Sequence, residues 1–314
     1  MSVKLSIIVI SYNMAREVPR TIESLLPPYQ QNVHLRDYEI LVMENGSSVA
    51  IDPIIIQSWP ENVKYVAVKD PQPSPASALN MGMSMASGEY ICSMIDGARM
   101  ASPGLIGQTL KAINLSSKPT IATIGLHLGP KRQQESTLEG YDQTAEDALL
   151  ASIDWRKNGY RLFEISSYAD SAPHGWLGPI SASNAITVSR AAYEQLGGFD
   201  PKFSIPGGGL VNLDFFKRAI RLPRSEYILL LGEATFHQVH GGVTTSKSVG
   251  TRLSDETEKT TWDLYAEQYR SVRGIDYTVP KMDPILFGKA PKAAQKLFLA
   301  GVLNQYDLHT ESHT

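Results

Sequence analysis

The feature that most constrains this chain is a repeated alternation between a short apolar run and a longer amphipathic one. Leu5 to Ser11 is continuously apolar and rich in β-branched residues, so it reads as a strand buried on both faces of a parallel sheet. Ala15 to Leu26 follows, with Val18, Ile22, Leu25 and Leu26 at helical spacing and Pro27-Pro28 to stop it. The unit then recurs. Strands are expected over 38–43, 63–68 and 89–95, and helices over 54–59, 76–86 and 103–115, the last opened by Pro103. Strands alternating with helices through short loops specify an α/β fold with a doubly wound, mostly parallel sheet. From Thr120 the rhythm loosens into strands over 120–126, 181–188, 227–231 and 234–239, with helices over 144–158 and 211–221. Beyond Thr251 the chain is polar, with helical stretches at 255–273 and 292–304. The expectation is a domain over 1–250 and a helical C-terminal extension over 251–314.

Composition narrows the function classes. The net charge of −3, with acids and bases mixed along the chain, argues against a nucleic-acid partner, which usually demands a basic excess. A small anionic ligand is still compatible. The single cysteine, Cys92, excludes an intrachain disulfide and sits in an apolar strand run. The first apolar run is too short for a signal peptide, and no stretch reaches the roughly 18 residues of a membrane span. A soluble, cytoplasmic protein is expected, with oligomerisation left open.

Ligands of doubly wound sheets gather at the carboxyl ends of the strands. The informative positions are therefore Ser11-Tyr12-Asn13, Glu44-Asn45 and Asp96-Gly97-Ala98-Arg99.

Six landmarks in one order carry a family resemblance. They are Ser6-Ile-Ile-Val-Ile-Ser-Tyr-Asn13, Glu39-Ile-Leu-Val-Met-Glu-Asn-Gly-Ser-Ser48, Ala78-Leu-Asn-Met-Gly82 with Ala86-Ser-Gly-Glu-Tyr-Ile91, Ile95-Asp-Gly-Ala-Arg99, Ser183-Asn-Ala-Ile with Arg190 and Gly197-Gly-Phe-Asp200, and Val239-His-Gly-Gly-Val243. Over residues 4 to 245 the chain resembles the inverting family 2 glycosyltransferases of the GT-A fold. The resemblance implies a nucleotide-sugar donor, UDP-like by preference, a glycan or other hydroxyl acceptor, a Mg2+ or Mn2+ ion, and inversion at the anomeric carbon. It implies donor contacts from Ser11, Tyr12, Asn13, Glu44, Asn45, Asp96 and Arg99, and metal ligation by Asp96 and His240. A divalent cation would neutralise the departing diphosphate, the main electrostatic demand of such a reaction.

Three positions depart from the pattern. Ala98 stands where the family carries the second Asp of its Asp-x-Asp, so ligation falls to Asp96 and His240, or Arg99 binds phosphate directly. Leu79 replaces an arginine facing the diphosphate. Val211-Asn212 replaces the pair that supplies the general base, which leaves Asp214 as the catalytic candidate, with His174 and Asp170 behind it. Each has a bland alternative. Asp214 has Arg218 one helical turn on, which suits an ion pair. Glu44 could stabilise its turn, and Trp176 could be core. His237 is expected on the opposite strand face from His240, in a structural role. These departures also admit a second reading, a binding module of the same fold without catalysis.

Overall fold

The computed structural model describes residues 3–241, 252–254 and 257–311. The strands are β1 (Leu5–Ser11), β2 (Tyr38–Glu44), β3 (Val63–Ala67), β4 (Tyr90–Met94), β5 (Arg99–Ala101), β6 (Pro119–Leu128), β7 (Ser166–Tyr168), β8 (Ile186–Ser189), β9 (Glu226–His237), β10 (Arg252–Ser254), β11 (Thr257–Thr260) and β12 (Ile285–Gly288). Ten of them form one mixed sheet with the order β12-β9-β6-β8-β4-β1-β2-β3, while β5 pairs with β9 and β7 with β6. Strands β4, β1, β2 and β3 run parallel. Strand β8 is antiparallel to both β4 and β6, and β6, β9 and β12 are again parallel to one another.

The helices are α1 (Glu17–Ser24), α2 (Pro53–Ser58), α3 (Ala76–Met85), α4 (Leu105–Ala112), α5 (Gln133–Leu138), α6 (Gln143–Ala151), α7 (Arg190–Leu196), α8 (Val211–Ile220), α9 (Thr261–Arg273) and α10 (Gln295–Glu311). Side chains alternate across the pleat, so β1 feeds two cores. Ile8 and Ile10 pack with Leu41, Met43 and Ile91 against Leu79 of α3 and Phe215 and Phe216 of α8. Leu5, Ile7 and Val9 pack with Val42, Cys92 and Met94 against Val18 and Ile22 of α1 and Leu105 and Ile106 of α4. Helices therefore cover both faces, and the apolar runs are explained by two-sided burial. Among the described residues, no helix is long and apolar enough to cross a membrane.

Four of the expected segments differ in the structure. The helix over 144–158 ends at Ala151. The strand over 181–188 begins only at Ile186, because Ser183 Oγ accepts the amides of Thr123 and Ala185 and so competes with ladder pairing. The two strands over 227–231 and 234–239 are one strand, β9, interrupted by a bulge. Its register with β6 jumps between Ala122↔Leu229 and Ile124↔Ala234. Gly232 makes the bulge possible: its φ is +80°, and a Cβ there would lie 1.9 Å from the Lys289 carbonyl oxygen.

The fourth difference is the C-terminal segment, expected to be a helical appendage. It also contains strands, and β12 extends the main sheet beside β9. The expected helix start at Asp255 lies outside the described residues. Helix α9 begins instead after Thr260, which forms a capping box with Asp263, and it ends at Gly274 in the left-handed conformation. Tyr265, Tyr269 and Leu297 are buried in the first core, and Phe298 stacks on Trp176 with ring centroids 4.4 Å apart.

Candidate functional site

At the carboxyl edge of the sheet the ends of β4, β1 and β2 lie side by side. Ser11 pairs with Glu44 in register, and continuing the Val9↔Met94 pairing by two residues sets Asp96 beside Ser11. Two strand spacings, about 10 Å, thus separate the Glu44 and Asp96 positions.

The Glu44 end is a closed hydrogen-bonded turn. Ser11 Oγ donates to Glu44 Oε2 at 2.8 Å, and the Ser47 amide donates to Oε1 at 3.0 Å, joined by the Ser47 hydroxyl. Asn13 has φ +53°, and its side-chain oxygen accepts from the Ser48 amide and hydroxyl at 2.8 and 3.0 Å. Asn45 Nδ2 donates to the Gln72 carbonyl, while its Oδ1 is buried without a partner. Tyr12 is half exposed. The turn is closed by the Glu44 carboxylate from within and by Ser11 and Asn13 from the neighbouring strand end. Glu44 therefore bonds within its turn, while Tyr12 is half exposed and the buried Asn45 oxygen has no partner.

The Asp96 end is built from distant segments. Asp96 Oδ1 accepts the Ala98 amide at 3.0 Å, turning the chain into β5. That strand pairs Arg99 with His237, and β6 pairs His127 with the same residue, so Arg99, His237 and His127 form one row on one face. His237 Nε2 lies 2.8 Å from Asp96 Oδ2, His240 Nε2 lies 3.7 Å from Asp96 Oδ1, and the two histidine nitrogens are 3.2 Å apart. One ligand atom from each of Asp96, His237 and His240 falls within 4.8 Å of the others.

The expectation that His237 faces away from His240 is corrected by the strand's end. Strand β9 stops at His237, and the chain is then held by other partners. The Gln238 amide donates to the Ala98 carbonyl. The Val239 amide donates to Glu146 Oε2 at 2.8 Å, and Arg16 Nη1 donates to the Val239 carbonyl at 3.4 Å. Strand alternation no longer applies past residue 237, and His240 folds back against His237 with ring centroids 5.1 Å apart. Of the flanking glycines, Gly242 lies outside the described residues, as does Val243.

Charge in the cluster is set by burial and by neighbours. Burial pushes the His237 imidazole down to about 4 against the pull of Asp96. Burial also opposes the Asp96 charge, but His237 and Arg99 outweigh it and hold the carboxyl well below the usual range. Burial keeps His127 well below its ordinary value too, with the neighbouring His237 acting the same way. Arg99 Nε donates to Asp96 Oδ2 at 3.2 Å, and its Nη1 is buried without a partner. Ala98 and Leu79 are wholly buried apolar residues and contribute packing alone.

Two of the acceptor-side candidates, Asp214 and Asp170, are held in ion pairs. Asp214, expected as the general base, is buried, and both its oxygens are bound. Arg218 Nε reaches Oδ2 at 2.8 Å, Arg273 Nε reaches Oδ1 at 2.6 Å, and Arg273 Nη2 reaches Oδ2 at 2.7 Å. Two guanidiniums occupy both carboxylate oxygens, so the ion-pair reading fits its geometry. Arg273 lies in the C-terminal segment, and nothing in the local sequence of α8 announces it. Asp170 pairs with Arg132 at 2.8 Å on the surface. Asn212 Nδ2 donates to Asn184 Oδ1 at 3.3 Å. His174 Nδ1 is buried without a partner. Trp176 is core, its Nε1 bound to the Glu233 carbonyl. Sequence reasoning missed His127 and Gln133, which adjoin His237. Their signal is only the cross-strand register of β6 with β9.

Residues 6–117 match the family model described as glycosyl transferase family 2. No curated protein matches the chain. Among solved structures, S. aureus TarS 1-349 in complex with UDP aligns over 75% of this chain and 60% of its own, at 14% identity and a TM-score of 0.49. The mannosyltransferase PcManGT from Pyrobaculum calidifontis, in complex with GDP-Man and Mn2+, aligns over 96% of this chain and 69% of its own, at 15% identity and a TM-score of 0.48. The chain thus spans about three-fifths of the TarS fragment's length. The stretch from β1 to α4, which carries Ser11, Glu44, Asp96 and Arg99 but neither histidine, is similar to family 2 glycosyltransferases.

Proposed function

We propose that the chain is a glycosyltransferase that binds a nucleoside-diphosphate sugar across the carboxyl edge of the sheet and transfers the sugar to an acceptor hydroxyl with inversion. The observation that carries this reading is the convergence of Asp96, His237 and His240, two strands from the Glu44 turn and within one fold. Tyr12 and Asn45 are the contacts for base and ribose, and Arg99 stands at the phosphate side. The donor set of one carboxylate oxygen and two ring nitrogens fits a divalent cation, and Asp96, His237 and His240 would hold it. Bound there, such an ion neutralises the charge that develops on the leaving diphosphate.

In the transfer, the acceptor oxygen forms a bond to the anomeric carbon from the face opposite the diphosphate. The bond from that carbon to the diphosphate oxygen breaks, and the nucleoside diphosphate leaves with the electron pair. The hydroxyl proton passes to a base. The protein's part is to orient the donor and to keep the Arg99 guanidinium and the cluster beside the phosphates.

A second reading is favoured by one observation: Asp214 is locked by Arg218 and Arg273, and Asn212 cannot accept a proton. On that reading the chain binds a nucleotide sugar without transferring it. Calorimetry with UDP and GDP, followed by mass detection of products from UDP-sugars with a panel of hydroxyl acceptors, separates the two. Binding with product supports transfer, binding without product supports the binding module, and no binding with or without Mn2+ sinks both.

A further inference from the structure

The cluster's second layer contains an unusual residue. Gln133, the first residue of α5, is completely buried and makes three bonds. Its amide donates to His127 Nδ1 at 3.0 Å, its Nε2 donates to the His237 carbonyl at 2.9 Å, and its Oε1 meets His237 Nδ1. A carbonyl oxygen only accepts, so the contact to the His237 carbonyl fixes which end of the amide is nitrogen. The oxygen then faces His237 Nδ1, which must carry the proton. That leaves Nε2, which points at Asp96 Oδ2 and His240 Nε2, as the ring nitrogen open to an ion. One ligand atom from each residue falls within 4.8 Å of the others, and a second-layer acceptor on the far nitrogen is the usual device for presenting a histidine to a metal.

We infer that Gln133 commits His237 to metal ligation, and that the resulting two-histidine, one-carboxylate set takes nitrogen-accepting first-row ions such as Mn2+, Co2+ or Zn2+ in preference to Mg2+. Two of its three donors are ring nitrogens, which suit transition ions. Mg2+ prefers oxygen and keeps its waters. Ala98 offers no ligand atom, and two of the three ligand atoms that do converge are ring nitrogens. The inference concerns the metal end of the proposed donor site and is tested without donor, so the two can fail separately.

The chelator-stripped full chain is titrated with Mn2+, followed by the loss of the free-ion EPR signal, with Mg2+ as competitor. One Mn2+ should bind per chain, Mg2+ should be at least about tenfold weaker, and Co2+ should bind more tightly than Mn2+. Gln133→Leu should weaken Mn2+ by about 10- to 100-fold. His237→Ala should weaken it further and close the gap to Mg2+. Far-UV circular dichroism of each variant reports folding. Should Gln133→Leu not fold, the wild-type competition and His237→Ala carry the test. Equal affinity for Mg2+ and Mn2+, no Mn2+ binding at millimolar concentration, or unchanged Mn2+ affinity in folded His237→Ala overturns the inference. A chain that selects Mn2+ yet transfers no sugar leaves it standing and removes only the transferase reading.

Discussion

Glu44 and Asp96 are both carboxylates at the carboxyl ends of parallel strands that flank β1, but their surroundings have opposite character. Glu44 is met by hydrogen-bond donors: the Ser11 and Ser47 hydroxyls and the Ser47 amide. Asp96 has two donors of its own, the Ala98 amide and Arg99 Nε, and it is also met by the ring nitrogens of His237 and His240. The first arrangement is complete within the chain. The second is the one our proposal completes with a cation. The difference separates groups that hold the fold from groups kept for a ligand, and it makes opposite forecasts for the two kinds of mutation.

The largest effect is expected where charges are fully matched and buried. Asp214→Ala leaves Arg218 and Arg273 facing each other and should cost about 3 kcal/mol or more in urea unfolding. If Asp214 were instead a free base, stability would hardly move and only turnover would be lost. Next comes Glu44→Ala, which strands one amide and two hydroxyls. A loss of about 1–3 kcal/mol, with weakened UDP binding, is expected. Loss of UDP affinity with stability intact would mean that the turn does not need its acid.

A pH effect of intermediate size comes from the two interior carboxyls. Burial raises Glu233 to about 7 despite its bonds from Ser102, Tyr160 and the Gly104 amide. Burial likewise raises Glu146 to about 7. A carboxyl whose folded-state value is raised binds more protons when folded, so its contribution is full below about 4.5 and is lost as pH climbs through 7. Stability should fall over that window, at up to about 1.4 kcal/mol per pH unit for each group. Glu233→Gln should flatten the slope; an unchanged slope would show that Glu233 is ionised at no such cost. The smallest stability change is expected at His237→Ala in metal-free protein, within about 1 kcal/mol. A large loss there would mean the cluster holds the fold after all, and the contrast with Glu44 would collapse.

Legibility divides along the same line. The β1–β4 half of the sheet, with Leu5 to Ser11 and Tyr38 to Glu44 as buried runs, is readable because two-sided burial imprints continuous apolar stretches. Turn chemistry at Asn45-Gly46-Ser47-Ser48 is local and readable for the same reason. The rest is set by distant partners. His237 joins Asp96 because β5 pairs with β9 across more than a hundred residues, and Asp214 is committed by Arg273 from α9. Periodicity places a residue on a face but says nothing about which far segment supplies its neighbour. The expected strand face for His237 also assumed that the strand continues to residue 240, whereas Gln238 and Val239 already bond to Ala98 and Glu146.

The bulge around Gly232 has a geometric consequence. Before it, β9 numbering leads β6 by 107; after it, by 110, as the pairs Ala122↔Leu229 and Ile124↔Ala234 show. With the earlier offset, His127 would sit opposite Ala234, and both histidines would overshoot the sheet edge by three residues, about 10 Å. The bulge works as a take-up loop that reels the end of β9 back to the strand ends where Asp96 lies. The position of the histidine pair is thus written in a backbone length, held by a glycine and a buried carboxyl, as much as in the histidines themselves.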